Sequence, residues 1–301
     1  MPRFSQAVLI YNPMARRMLN GQAEKLRQLL NALAAYGIRV EAVPTVRPVD
    51  ASLLAHQAVA SGCDLVIACG GDGTINEVIT GMAKSQVPLM IVPGGTANVL
   101  AKEIGLRGNL VQSTELIRTG VIRRISLGKA ERRYFVLMAG IGVDARIISV
   151  LNYKLKRRLG EGSFWIAGFK QLFQYHFPSF ELRIDGRPEH APFAVISKAK
   201  NYGGPFRITS QADLFSDKFD VCLFQSCDRW RYLHYLWNVS VGKHASLPDV
   251  KYLKAETVEA LGDPSIGVQA DGELIGTLPQ KFTVETDALS LIVPRANSSL
   301  A

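Results

Sequence analysis

Short apolar runs that end in turn residues alternate with amphipathic stretches through the first part of the chain. Ala7–Tyr11 is apolar and stops at Asn12-Pro13, and Gln22–Tyr36 then carries leucines and alanines at helical spacing with charges between them. Arg39–Val43 alternates as a strand, Ala51–Ser61 has helical spacing, and Asp64–Cys69 is continuously apolar up to Gly70-Gly71. Ile75–Ala83 is helical again, Pro88–Val92 reads as a buried strand, and Ala97–Ile104 opens another helix. Strands and helices in regular succession predict a parallel sheet with helices on both faces.

From about Ile125 the texture changes to short strand candidates separated by turn residues: Tyr134–Met138, Phe180–Ile184, Phe193–Ser197, Phe219–Phe224, Thr257–Leu261 and Gly267–Ala270. Helical interruptions are expected around Arg146–Phe177 and Asp228–Val241. The expected organisation is an α/β domain over residues 1–124 and a mainly antiparallel β domain over 125–301. The pattern leaves open whether the last strand, Leu289–Val293, returns to the first domain.

Composition narrows the function classes. A chain of 301 residues with 48% hydrophobic content can bury a large core. No window approaches the roughly 20 apolar residues of a membrane-spanning helix, and the first residues read as a strand rather than a leader, so no export is expected. Cys63, Cys69, Cys222 and Cys227 form no CxxC or Cys/His pattern and read as reduced thiols of a cytoplasmic protein. The formal charge of +9 favours an anionic partner without naming it. No interleaving of basic and aromatic residues suggests nucleic acid. The five histidines are scattered and are given no chemistry.

The candidate chemistry starts with Cys69-Gly70-Gly71-Asp72-Gly73-Thr74, a strand, a glycine turn and a helix start. Ligands of α/β sheets gather at the carboxyl ends of strands, where glycines admit phosphate to the backbone and a helix N-terminus offers unpaired N–H groups. Asp72 would repel phosphate, so its place in the turn makes sense only with a cation between them. A second strand-to-helix turn follows one unit later, Pro93-Gly94-Gly95-Thr96-Ala97-Asn98. Two such turns side by side can cradle one nucleotide, with Thr74, Thr96 and Asn98 as hydrogen-bonding groups.

Gly70-Gly71-Asp72-Gly73-Thr74 with Asn76-Glu77, followed by the Gly94-Gly95-Thr96-Ala97-Asn98 turn, resembles the catalytic domain of the diacylglycerol kinase and sphingosine kinase family. The first turn alone is also similar to those of NAD kinases and phosphofructokinases. The likeness extends to Asn12-Pro13, Gly140-Ile141-Gly142 with Asp144, and Asp271-Gly272-Glu273. It implies a nucleotide-binding domain of the NAD kinase and phosphofructokinase type and a C-terminal β-sandwich. It also implies transfer of a phosphoryl group from ATP to a lipid hydroxyl in the cleft between domains, as part of phospholipid metabolism.

The implied nucleotide contacts are Asn12, Thr45, Gly70, Gly71, Asp72, Gly73, Thr74, Asn76, Glu77, Gly94, Gly95, Thr96 and Asn98. This chain departs from the family at Val99, where Asp is frequent, and in the Asn12–Arg17 turn, which lacks a glycine.

Phosphoryl transfer to a hydroxyl needs in-line positioning, a divalent cation and a carboxylate to take the proton. Asp72 is the candidate for managing Mg²⁺, which keeps much of its hydration and needs few protein ligands. The resemblance makes Glu273 the general base with Asp271 its partner, although the sequence does not decide between them and Asp-Gly is also a strong hairpin signal. Asp213–Asp220 is similar to a loop that holds a structural Mg²⁺ in bacterial members. On that match Asp217 supplies a carboxylate, and Leu214 and Phe219 supply carbonyls, with Lys218 where the family has glycine.

Tyr153–Arg158 with Phe164-Trp165 combines cations and amphipathic aromatics, so peripheral contact with an anionic membrane is expected. The rival readings are an NAD kinase and a catalytically silent nucleotide- or membrane-binding regulator. The acceptor lipid and the oligomeric state, a homodimer included, stay open.

Overall fold

A computed structural model describes residues 4–295 apart from 20, 48, 107, 132, 151–175 and 202–206. The chain divides into two compact units, Met1–Ser126 with Thr286–Ala301, and Leu127–Glu285.

The first unit begins with β1 (Gln6–Tyr11), α1 (Gln22–Ala34), β2 (Arg39–Pro44) and α2 (Asp50–Ala60). It continues with β3 (Leu65–Gly70), α3 (Asp72–Met82), β4 (Leu89–Pro93), α4 (Val99–Glu103) and α5 (Leu116–Thr119). The four strands are parallel in the order β2-β1-β3-β4. Every residue of β3 and β4 is buried, as expected of central parallel strands covered on both faces, whereas β2 at the sheet end includes Arg39 and Glu41 and is partly exposed.

Register decides where the site lies: Tyr11 pairs with Pro44 and with Cys69, and Gly70 pairs with Pro93. The carboxyl ends of all four strands therefore stop in one row, and the residues that follow them leave the sheet together.

The second unit is entered through β5 (Val121–Ala130) and contains β6 (Arg133–Phe135), β7 (Met138–Gly142), α6 (Val143–Val150), β8 (Phe180–Ile184), β9 (Arg187–Ala191) and β10 (Phe193–Ser197). Then come β11 (Phe219–Phe224), α7 (Arg229–Ser240), β12 (Val250–Ala255), β13 (Thr257–Leu261), β14 (Gly267–Ala270), β15 (Glu273–Thr277) and β16 (Gln280–Val293). One antiparallel sheet runs β12-β11-β10-β7-β14-β15. In the other, β13 pairs with the first part of β16 and with β8, which pairs with β9.

The apolar faces of both sheets share a core around Phe135, which stacks on Phe219 at 5.8 Å and meets Phe282 edge-on at 6.4 Å. Each such fully buried side chain contributes about 1.5–3 kcal/mol. Asp228 caps α7 by accepting the N–H groups of Trp230 and Arg231, both at 2.8 Å. The end of β16 lies beside β4, with Leu291 paired in parallel to Leu89, so the last strand belongs to the first unit's sheet.

Several elements differ from the sequence expectation. Tyr134–Met138 is not one strand: β6 ends at Phe135 and β7 begins at Met138, because a carboxylate distant in sequence claims the intervening N–H groups, as described below. β5, β9, β12 and β15 were not anticipated, and β16 begins nine residues before Leu289. Of the expected helix around Arg146–Phe177, α6 is described as far as Val150. The cationic and aromatic segment Tyr153–Arg158 with Phe164-Trp165 lies outside the described residues. Among the described residues no helix is long and apolar enough to cross a membrane.

Candidate functional site

The row of strand ends in the first unit carries Asn12, Thr45, Gly71 and Gly94, each one residue beyond its strand. The turns are tied to one another through backbone. Asn12 donates its N–H to Cys69 O at 2.9 Å, Thr45 donates to Tyr11 O at 2.9 Å, and Gly94 donates to Gly70 O at 2.8 Å. The Asn12 amide also donates to Thr74 Oγ1 at 3.2 Å, and its own oxygen accepts from Met14 N at 2.8 Å.

The two glycine turns touch: a Cβ on Gly95 would lie 2.6 Å from Gly71 Cα, which no side chain can do, whereas one on Gly71 would meet only Gly95 Cα at an ordinary 3.6 Å. Glycine at 95 is thus demanded by packing, and glycine at 71 keeps the space over the turn open.

The side chains of this constellation mostly serve its shape. Asp72, the first residue of α3, accepts the N–H of Val99 at 2.6 Å and so joins the start of α3 to the start of α4. Burial pushes its carboxyl above the usual range, opposed by the N–H groups of Val99, Leu100 and Asn98. Asn98 is buried in the left-handed region with φ 47°, accepting from Gly95 N and donating to Gly95 O, both at 2.9 Å. Glu77 accepts the N–H groups of Val49 at 3.1 Å and Ala51 at 3.2 Å, filling donors at the start of α2. Asn76 is buried, and its Oδ1 has no partner among the described residues.

Neither α3 nor α4 is capped by the side chain of its N-cap residue, so first-turn N–H groups of α3 lie at the row of strand ends beside exposed Gly73, half-buried Thr74 and exposed Thr96. A polyphosphate fits such an end. Arg17, which the sequence reading passed over, ties the loop after β1 to the second turn: its N–H donates to Gly94 O at 2.9 Å and its guanidinium to Pro93 O at 3.2 Å. A lone cation in a turn-rich loop gave no signal.

In the second unit Asp271 and Gly272 form the two-residue turn between β14 and β15, with φ values of 47° and 82°. Two successive left-handed residues match the right-handed twist of a hairpin, and Asp-Gly suits them. The turn is more than a connection. The Asp271 carboxylate accepts Val136 N at 2.7 Å, Leu137 N at 2.9 Å and Met138 N at 3.0 Å, and this is what separates β6 from β7. Glu273 is exposed and pairs with the Arg133 guanidinium. The two carboxylates are neighbours in sequence with opposite circumstances: one saturated by backbone, one facing solvent beside an arginine.

Beneath the turn lies a relay that the sequence reading did not identify. Asp144, 1% exposed, accepts from Gln269 Nε2 at 2.6 Å, and Gln269 Oε1 accepts from Gly272 N at 2.9 Å. Burial pushes the Asp144 carboxyl up to about 7 against the Gln269 hydrogen bond, and its second oxygen has no partner among the described residues. The relay depends on tertiary contact between α6 and β14, so sequence spacing alone could not find it.

The loop read as a metal site is arranged around another cation. Lys198 is fully buried, and its ammonium donates to Ser216 O and, at 3.4 Å, to Lys218 O, the two residues flanking Asp217. Burial lowers the Lys198 pKa to about 8, with Asp217, Asp213 and Asp220 acting in the opposite sense. Leu214 and Phe219 are buried and Asp217 is exposed. A divalent ion does not fit beside this ammonium.

Comparison with known proteins gives two family matches. Residues 6–130 match the diacylglycerol kinase catalytic domain, and residues 138–293 match the YegS C-terminal NAD kinase beta sandwich-like domain. A diacylglycerol kinase of Bacillus subtilis (strain 168) is 26% identical over 295 residues, covering 96% of this chain and 97% of that protein. A diacylglycerol kinase of Staphylococcus saprophyticus is 28% identical, with 92% of each chain covered. The crystal structure of a diacylglycerol kinase from Bacillus anthracis superposes with a TM-score of 0.78 at 21% identity, covering 98% of this chain and 99% of that one, which shows the shared fold.

Proposed function

The chain belongs to the diacylglycerol kinase catalytic-domain family and is a lipid kinase, and from that premise we propose that it transfers the γ-phosphoryl group of ATP to a hydroxyl of a diacylglycerol-like or sphingoid-like lipid. The observation that carries the reading is the row of strand ends, where two touching glycine turns and the uncapped start of α3 converge.

Phosphoryl transfer depends on positioning and charge compensation rather than on covalent chemistry by the protein. Gly71, Gly73 and Thr74 offer backbone and hydroxyl donors to phosphate, and Thr96 and Thr45 border the same row. Gly70, Gly94 and Gly95 let the turns close on one another, while Asn12, Asn76, Glu77 and Asn98 set their shape. Asp72 orients the start of α4 and adds negative charge where a hydrated Mg²⁺ would neutralise the phosphates.

In the second unit Glu273 is the group we assign to the proton of the lipid hydroxyl. Asp271 has its oxygens committed to three N–H donors, which suits it to holding the turn. Arg133 and the relay from Asp144 through Gln269 fix where the Glu273 side chain starts. The nucleotide row and the acidic turn must then serve one reaction, with the enzyme at the cytoplasmic face of a membrane. The formal charge of +9 supports approach to an anionic surface.

The test is incubation of the full chain with γ-labelled ATP, Mg²⁺ and a panel of lipids in mixed micelles. Label should enter a lipid with a free hydroxyl. Label entering NAD, or no acceptor at all, contradicts the reading.

A further inference from the structure

We propose that Lys198 is the built-in cation of the Asp213–Asp220 loop, so that this loop takes no divalent metal and the second unit folds without one. This goes beyond the phosphoryl-transfer reading and stands independently of it.

A lysine with no exposed surface is rare, because an ammonium taken from water must be paired and hydrogen-bonded. Lys198 is hydrogen-bonded to carbonyls inside this loop, with acidic residues around it. Two carbonyls, of Ser216 and Lys218, accept from Nζ, and the carboxylates of Asp217, Asp213 and Asp220 supply negative charge around it. Asp220 is itself paired with Lys254 at 3.2 Å, and Lys218 with Glu256 at 3.3 Å. A divalent cation entering here would face the Lys198 ammonium with Lys254 and Lys218 nearby, and in a buried site like charges repel strongly.

The loop's contents are thus the parts of an oxygen-lined cation site with an ammonium in it. Lysine also fixes the site from a definite place. It directly follows β10, and its own N–H donates to Leu137 O at 2.8 Å, while Leu137 N donates to Asp271. The corner between β6 and β7 is therefore held from one side by the acidic turn and from the other by the segment that carries the cation.

The experiment is thermal unfolding of the nucleotide-free full chain, dialysed against EDTA and then supplied with millimolar Mg²⁺. The parent and Asp217→Asn should each show the same midpoint with and without Mg²⁺, and Asp217→Asn should unfold several degrees lower because it removes charge opposite Lys198. Lys198→Met should also unfold lower in EDTA. The double variant should lose less than the two single losses combined, since the two side chains interact.

A Mg²⁺-dependent rise of the parent midpoint that Asp217→Asn abolishes would overturn the proposal. So would a Lys198→Met protein as stable as the parent, or strict additivity in the cycle. If Lys198→Met yields no folded protein, the parent and Asp217→Asn arms still decide.

Discussion

The glycine turns of the first unit and the Asp271-Gly272 hairpin of the second each contain a carboxylate that reaches across to the backbone of another segment, but they leave different groups for chemistry. Asp72 accepts the N–H of Val99 and thereby sets two helix starts side by side, so what faces outward is mainly backbone N–H. Asp271 accepts three N–H groups at the break between β6 and β7, so what faces outward is the neighbouring carboxylate of Glu273. In both regions a partly buried acid of the motif shapes the site. The first region then offers donors suited to an anion, and the second offers an acceptor suited to a proton.

The comparison breaks most visibly at Asp271. Asp271→Ala leaves the N–H groups of Val136, Leu137 and Met138 without their acceptor, and should cost on the order of 2–5 kcal/mol in chemical denaturation. Asp271→Asn keeps one accepting oxygen and should cost clearly less. A stable but inactive Asp271→Ala would move this residue from shape to chemistry.

The two glycine turns separate packing from binding. Gly95→Ala drives a Cβ into Gly71 Cα and should destabilise by about 1–3 kcal/mol, the usual range for overpacking. Gly71→Ala should leave the unfolding midpoint nearly unchanged while raising the Michaelis constant for ATP about tenfold, as a methyl group enters the space kept for phosphate. Equal effects of the two changes on stability would mean that Gly71 also serves packing.

A smaller effect is expected at Asp144. Its carboxyl is raised from the usual 3.8 to about 7, so the folded chain holds this proton more tightly than the unfolded chain does. Its contribution to stability therefore falls as pH rises from about 4 to about 7, and the penalty is complete above that. Asp144→Asn keeps an oxygen for Gln269 and carries no charge. Its denaturation midpoint should exceed the parent's at pH 8, and the gain should shrink towards pH 4. A gain independent of pH would contradict the assignment.

Much of this was legible in the sequence. The runs Phe180–Ile184, Phe193–Ser197, Phe219–Phe224, Thr257–Leu261 and Gly267–Ala270 form strands with those bounds, because their apolar faces meet a core. Three of the strands that escaped notice, β9, β12 and β15, each end a sheet, where one side meets solvent and sequences such as Arg187-Pro188-Glu189-His190-Ala191 suffice.

Within the candidate site, the glycine turns and the acidic hairpin announced themselves through residue types that few other conformations need. What sequence could not show was which polar groups are occupied. The break at Val136-Leu137 is imposed by Asp271 from 134 residues away, and the cation of the Asp213–Asp220 loop arrives from Lys198 on a different strand end. Both are tertiary contacts with no local spacing to betray them.

The claim that Glu273 does chemistry while Asp271 does architecture is tested most directly by single-turnover transfer in Glu273→Gln, measured with its affinity for Mg²⁺ and ATP. The ion pair with Arg133 is exposed and worth no more than about 1 kcal/mol, so the fold should be unaffected. Nucleotide affinity should stay within about twofold, and transfer to lipid should fall by about 10²- to 10⁴-fold, the range for a positioned base. Transfer at the parental rate would contradict the account.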